Sequence, residues 1–189
     1  VFINSYENAS RYQFYTGEPA HTLSTYYFNN TQFDYWGYED YFRGEPVFVV
    51  HNKRGQDFYQ TVDAPNGAQI HFRRFRQFNA LDKIQVTPIA IELSEDKTQL
   101  VGKIKIDNPY DFDILSSRRE PVQLLLFSLK GERVLAERVL LSDLNIASKE
   151  ALILNFEVVL PEIKSDTQLR FSVGSGNLPG TINSERIKV

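Results

Sequence analysis

The chain has 189 residues, 42% of them hydrophobic and 24% charged, with a formal net charge of -3, which leaves room for one large domain or two small ones. Both charge signs are scattered, so there is no broad electrostatic footprint for nucleic acid or an anionic membrane surface. The absence of cysteine excludes disulfides, thiolate metal sites and cysteine nucleophiles together and leaves the redox compartment open.

Val1-Phe2-Ile3-Asn4-Ser5 reads as a buried strand already under way, as an excised fragment begins. No apolar run reaches the roughly 18 to 20 residues of a spanning helix, and no basic-then-apolar leader is present. Asn8 to Tyr15 is expected to be helical, with Ser5 as N-cap and Gly17-Glu18-Pro19 as the stop. His21 to Thr25 can form a short strand. Gln32 to Phe42 follows as an aromatic-rich helix ending at Arg43-Gly44, and Pro46 to Val50 as a buried strand. This spacing predicts a small βαβαβ-like unit with parallel strands, too short for a complete doubly wound domain.

Lys53-Arg54-Gly55-Gln56 and Ala64-Pro65-Asn66-Gly67 are turn-forming, bracket a short segment around Phe58 to Val62, and mark an expected linker zone. Of the 25 aromatic residues, 20 precede Ala80, which implies two differently built cores with a boundary near Gln77 to Leu81. Beyond the linker zone, alternating patterns predict strands at His71–Phe78, Ile84–Leu93, Gln99–Ile106, Val122–Leu129, Arg133–Leu141, Leu152–Leu160, Leu169–Val173 and Ile182–Val189. Pro88 suggests an edge or a bulge, and Lys130-Gly131 is the best hairpin turn. The fold class is α+β: an aromatic-rich α/β part over 1–79, incomplete at its N-terminus, then an antiparallel immunoglobulin-like β-sandwich over 80–189.

His21, His51 and His71 have no local metal-ligand spacing, and no phosphate loop, dinucleotide fingerprint or nucleophile elbow is present. No catalytic residue, metal or cofactor is therefore expected. Gly174-Ser175-Gly176 lacks the lysine and helix of a phosphate cradle and reads as a turn. Glu39-Asp40 reads as a solvated helix face and Glu95-Asp96 as a hairpin tip. His71-Phe72-Arg73-Arg74-Phe75-Arg76 interleaves bases with rings, as single-stranded nucleic-acid binders do. On a strand, its guanidinium groups could instead pair with carboxylates of an adjoining lobe, the reading preferred here. The residues most suited to recognition are Tyr26, Tyr27, Asn30, Asp34, Tyr35, Trp36 and Tyr38, because rings pack on pyranose C–H faces while amides and carboxylates meet hydroxyls. The same spacing is also that of an aromatic helical core. Asn29-Asn30-Thr31 matches a glycosylation acceptor, a match common by chance.

Val1 to Tyr6, Ala9 to Gly17 and Gln32 to Trp36, with the ending Gly176 to Ser184, resemble the C-terminal soluble region of bacterial family 39 glycosyltransferases. That family is related to protein mannosyltransferases and aminoarabinose lipid A transferases, and the appended sandwich resembles its Bacteroidetes members. The resemblance implies a polytopic parent enzyme that uses a polyprenyl-phosphate sugar donor, with this region on the extracytoplasmic, periplasmic face of the inner membrane. It also implies that the acidic catalytic residues lie in the membrane module, so none is carried onto this sequence. The implied partners are that module and a glycan or glycolipid acceptor, not nucleic acid. The alternative is a secreted or surface carbohydrate- or protein-binding structural module with no enzyme attached.

Overall fold

The computed structural model describes residues 1–3, 5–23, 38–51, 60–76, 78–96, 98–118, 120–131, 133–160, 166–175 and 180–188. It is mostly β, and its sheets are largely antiparallel. The chain divides into two compact units, Val1–Ala80 and Leu81–Val189.

In the first unit β1 (Phe2–Ile3) leads into α1 (Tyr6–Thr16). Ser5 has extended backbone and its hydroxyl accepts from the Asn8 N–H at 3.2 Å, while Gly17 closes the helix in the left-handed region at φ 73°. This is the expected cap at each end. After α1 the chain returns beside β1, where His21 forms a single parallel bridge with Phe2; the expected strand is not extended before Ser24, from which residue the chain lies outside the described residues. Of the expected second helix, only Tyr38–Tyr41, here α2, is described, and it stops before Arg43-Gly44.

The sheet of this unit has the order β1-β2-β4-β3, with β2 at Val47–His51, β3 at Gln60–Asp63 and β4 at Gln69–Phe75. β2 runs parallel to β1, whereas β4 pairs antiparallel with both β2 and β3. Ala64-Pro65-Asn66-Gly67 is thus not linker but the turn of a hairpin. The Ala64 N–H donates to the Ala68 carbonyl at 2.8 Å, Pro65 sits where its fixed φ suits the turn, and Gly67 supplies φ 78°, the requirement of a type I turn closed by a left-handed residue. The strand expected at His71–Phe78 is β4, which ends at Phe75 and belongs to this first sheet.

Direct partners share a face. On one face Phe2 stacks on Phe78 at 4.8 Å and meets Phe42 edge-on at 5.6 Å, and Val47, Val49 and Phe75 are buried beside them. On the other, Ala9 of α1 and Ala20 pack against Ile3, with Val1 and Val50 at the margin.

The second unit holds two antiparallel sheets, one of β5 (Gln85–Leu93), β6 (Gln99–Asp107) and β9 (Ala151–Val159). The other has the order β11-β10-β7-β8, from β7 (Val122–Lys130), β8 (Arg133–Leu141), β10 (Gln168–Ser175) and β11 (Ile187–Lys188). A single buried cluster draws Val86 from β5, Ile104 from β6, Phe156 from β9, Leu126 from β7 and Phe171 from β10, so the two sheets share one core. β6 alternates buried and exposed through Leu100, Gly102, Ile104 and Ile106, the period-2 signature visible in its sequence. β5 is an edge strand whose register shifts between Pro88 and Ala90; proline has no N–H to donate, and the bulge absorbs it. Lys130 pairs with Arg133 around Gly131, at φ 58°. Of the strand expected at Ile182–Val189, only Ile187–Lys188 is regular, because the residues before it are held by side chains.

Candidate functional site

Tyr26, Tyr27, Asn30, Asp34, Tyr35 and Trp36 lie outside the described residues, and Tyr38 begins α2. In α2, Glu39 is buried, which corrects the expectation of a solvated helix face, and Asp40 forms an ion pair with Arg43.

His21 is buried in the Phe2–Phe42 ring cluster, its ring centroid 5.3 Å from that of Phe42. Burial disfavours the imidazolium and lowers its pKa below 6.5. His71 is also buried and its Nδ1 lies 2.9 Å from the Thr61 hydroxyl. The register sets His51 opposite His71 on the backbone, yet no group of three or more histidine, aspartate or glutamate side chains suited to a metal occurs among the described residues.

The paired carboxylate at Glu95-Asp96 is structural, as a hairpin tip should be. Asp96 Oδ1 accepts from the Ser94 hydroxyl at 2.5 Å and the Thr98 N–H at 3.1 Å, and Oδ2 from the Thr98 hydroxyl at 2.8 Å. The Ser94 and Thr98 bonds hold its pKa below the ordinary value, which keeps it an acceptor and not an acid. Gly174 and Ser175 are not a turn. They continue β10, opposite Gln123 and Val122 of β7.

In the second unit several buried polar side chains are spent on backbone. Asn183 is buried; its Nδ2 donates to the carbonyls of Leu81 and Ile84, both at 2.9 Å, and its Oδ1 accepts from the Val173 N–H at 2.6 Å and the Thr181 hydroxyl at 2.8 Å. Both amide hydrogens and two acceptor positions are thereby filled. Asn108 donates to the carbonyls of Phe112 at 3.0 Å and Ala147 at 2.9 Å and accepts from the Tyr110 N–H at 3.0 Å. The Tyr110 hydroxyl accepts from the Lys83 N–H at 3.0 Å and donates to Asp82 Oδ1 at 3.1 Å.

Beside Asn183 a half-open cleft of about 830 Å³ runs along the start of β5, with Asp82, Lys83, Pro88, Pro109, Arg170 and Glu185 in its wall. That volume suits a small ligand. The Arg170 Nε donates to the Ser184 carbonyl at 3.0 Å, so one of its donors is committed to the wall itself. Sequence reading missed this cleft because its residues come from four separated segments.

No family model and no curated protein matches the chain. Among solved structures it is similar to the solution structure of a protein described as late embryogenesis abundant (LEA), at 14% identity over 58% of this chain and 72% of that one, with a TM-score of 0.26. So low a score supports no inference about fold or function.

Proposed function

We propose that the chain is a non-catalytic extracytoplasmic accessory region of a membrane glycosyltransferase that uses a polyprenyl-phosphate sugar donor. In this reading it helps recognise the acceptor or stabilises the enzyme at the periplasmic face of the inner membrane. Its architecture is read as a small α/β part followed by an immunoglobulin-like β-sandwich, supported by the α1 crossover beside β1 and by the two sheets around one core. The observation that carries the non-catalytic part is the use of side chains in the second unit. Asn108, Asn183, Tyr110 and Asp96 each hold backbone in place. Acceptor recognition is assigned to Tyr26, Tyr27, Asn30, Asp34, Tyr35, Trp36 and Tyr38 on their chemistry, rings beside amides and a carboxylate.

Titrating the chain with oligosaccharides and lipid A headgroup analogues, followed by the fluorescence of Trp36, its single tryptophan, tests recognition directly. A saturable change lost in Trp36-adjacent variants such as Tyr35→Ala and Asp34→Ala supports it, and a flat response across the set removes it. Gene sequence upstream of Val1 separates the parent enzyme from the alternative. Several apolar spans support the transferase, and a lone signal peptide supports a secreted or surface binding module without an enzyme.

A further inference from the structure

The interleaved run His71 to Arg76 is not accounted for by sugar recognition. Its strand β4 divides it between two faces: His71 and Phe75 are buried on one, while Phe72 is half-buried and Arg74 exposed on the other. Register extends this second face across the sheet, because Phe48 lies opposite Arg74, Val50 and Gln60 opposite Phe72, and Val62 opposite Ile70. α1 covers the β1 side of that face through Ala9, which packs with Ile3 and Val50. Over β2, β4 and β3 the face is open: Phe48 is 45% exposed, Ile70 41% and Val62 51%. A sheet face this apolar is normally covered.

Its charge is one-sided. None of the positions of β2, β3 and β4 on this face is an aspartate or glutamate. Arg74 makes no ion pair with a described residue and leans over the Phe48 ring at 6.0 Å, and Phe48 and Phe72 have centroids 6.2 Å apart. Arg76, exposed just past the strand end, likewise has no ion pair among the described residues. Within the first unit, neither of these two guanidinium groups is neutralised by a described carboxylate. Exposed phenylalanine and branched aliphatics beside uncompensated arginine are the chemistry of an anionic lipid interface, where rings and methyls enter the acyl boundary and guanidinium meets phosphate. The chain's net charge of -3 does not oppose this, since surface attraction decays within a Debye length and is set locally.

We propose that the open face of β2, β4 and β3, bearing Phe48, Ile70, Phe72, Val62 and Arg74, together with Arg76 just past the end of β4, docks on an anionic phospholipid bilayer. The inference goes beyond the reading of a glycosyltransferase accessory region, since a module with no enzyme attached would carry the same face. It also does not depend on sugar recognition.

The test is co-sedimentation of the full chain with vesicles of phosphatidylcholine alone or with 30 mol% phosphatidylglycerol, at low and at 0.5 M salt. Binding is expected only to the anionic vesicles and is lost at high salt. Near an anionic surface each arginine contributes about five-fold in partitioning, so R74E/R76E should lower it by at least about 25-fold. F48S/I70S should weaken it without changing its salt dependence, and the exposed control Lys103→Glu on β6 should leave it within about two- to three-fold. All these positions are exposed, and circular dichroism with a thermal melt checks that each variant folds. Equal binding to neutral vesicles, no binding to anionic ones, or an unchanged R74E/R76E variant overturns the proposal. Binding of single-stranded oligonucleotide in place of vesicles also overturns it, in favour of nucleic acid. Failure here leaves the Trp36 titration untouched, and a flat Trp36 response leaves vesicle binding untouched.

Discussion

Replacing Asn183 by alanine should be among the most damaging single substitutions in the second unit. The change strands the carbonyl of Ile84 and the N–H of Val173 and takes one donor from the carbonyl of Leu81, which keeps the Ile84 N–H and the Thr181 hydroxyl. An orphaned buried polar group costs about 1–3 kcal/mol, and partial relaxation around the smaller side chain makes the two less than additive. A loss of about 2–4 kcal/mol is expected, a large share of the roughly 5–15 kcal/mol that holds a domain together. Urea denaturation followed by far-ultraviolet circular dichroism measures it. Asn183→Asp sharpens the test, because a carboxylate keeps the acceptor but points its second oxygen at two carbonyls. Its folded pKa is then raised above the unfolded value of about 3.9. The sign follows: Asn183→Asp retains most stability below that value, where the protonated acid can donate, and loses it as pH rises through the folded pKa. If Asn183→Ala costs under 1 kcal/mol, or if Asn183→Asp shows the same stability at pH 4 and pH 7, the clasp drawn here is wrong.

Gly102→Ala places a methyl 2.7 Å from Phe156 Cζ and 2.8 Å from Ile91 Cδ1, so overpacking should cost about 1–3 kcal/mol, and Phe156→Leu in the same chain should recover part of it in a double-mutant cycle. Ser5→Ala removes the acceptor for the Asn8 N–H and should lower stability of the first unit by about 1 kcal/mol, measured by hydrogen exchange along α1. His21 has a folded pKa below 6.5 because burial penalises its cation. Its contribution is therefore intact above pH 6.5 and falls as pH drops from there through the folded pKa. Denaturation midpoints between pH 5 and 8 should show that slope, and His21→Gln should flatten it.

The parts of the fold that could be read from sequence are those where a local signal and the tertiary demand agree. Ser5 and Gly17 bracket α1 because each satisfies backbone groups of its own helix, and β6 alternates because one side of it faces a core. Pro88 is likewise legible, since a residue without an N–H can occupy only an edge or a bulge. Ala64 to Gly67 carries the same residues whether it serves a linker or a hairpin, and only the partner of β3 decides between them. The roles of Asn108 and Asn183 were hidden for a similar reason: the carbonyls of Ala147 and Leu81 that they bind lie tens of residues away. Glu39 was misjudged because a carboxylate's burial depends on neighbours that its own helix does not supply. As for recognition, composition alone singled out the Tyr26 to Tyr38 stretch, whereas the open face around Phe48 and Arg74 needed strand register, which joins residues from three strands.

The bonds from Asn183 to Leu81 and Ile84 span 102 and 99 positions of chain, so the second unit is closed by its first and last segments meeting. Such a closure cannot form early: every intervening strand has to leave the ribosome before Asn183 exists to make it. Until then the carbonyls of Leu81 and Ile84 stay hydrated and the edge of β5 near Val86, whose N–H is reserved for the Asn183 carbonyl, stands open. Non-local contacts of this kind slow folding because the entropy of ordering a long loop is spent before the contact returns anything. The unit should therefore depend on chaperone shielding during synthesis more than its size suggests, with the vulnerable period ending as residues 181 to 183 settle against β10.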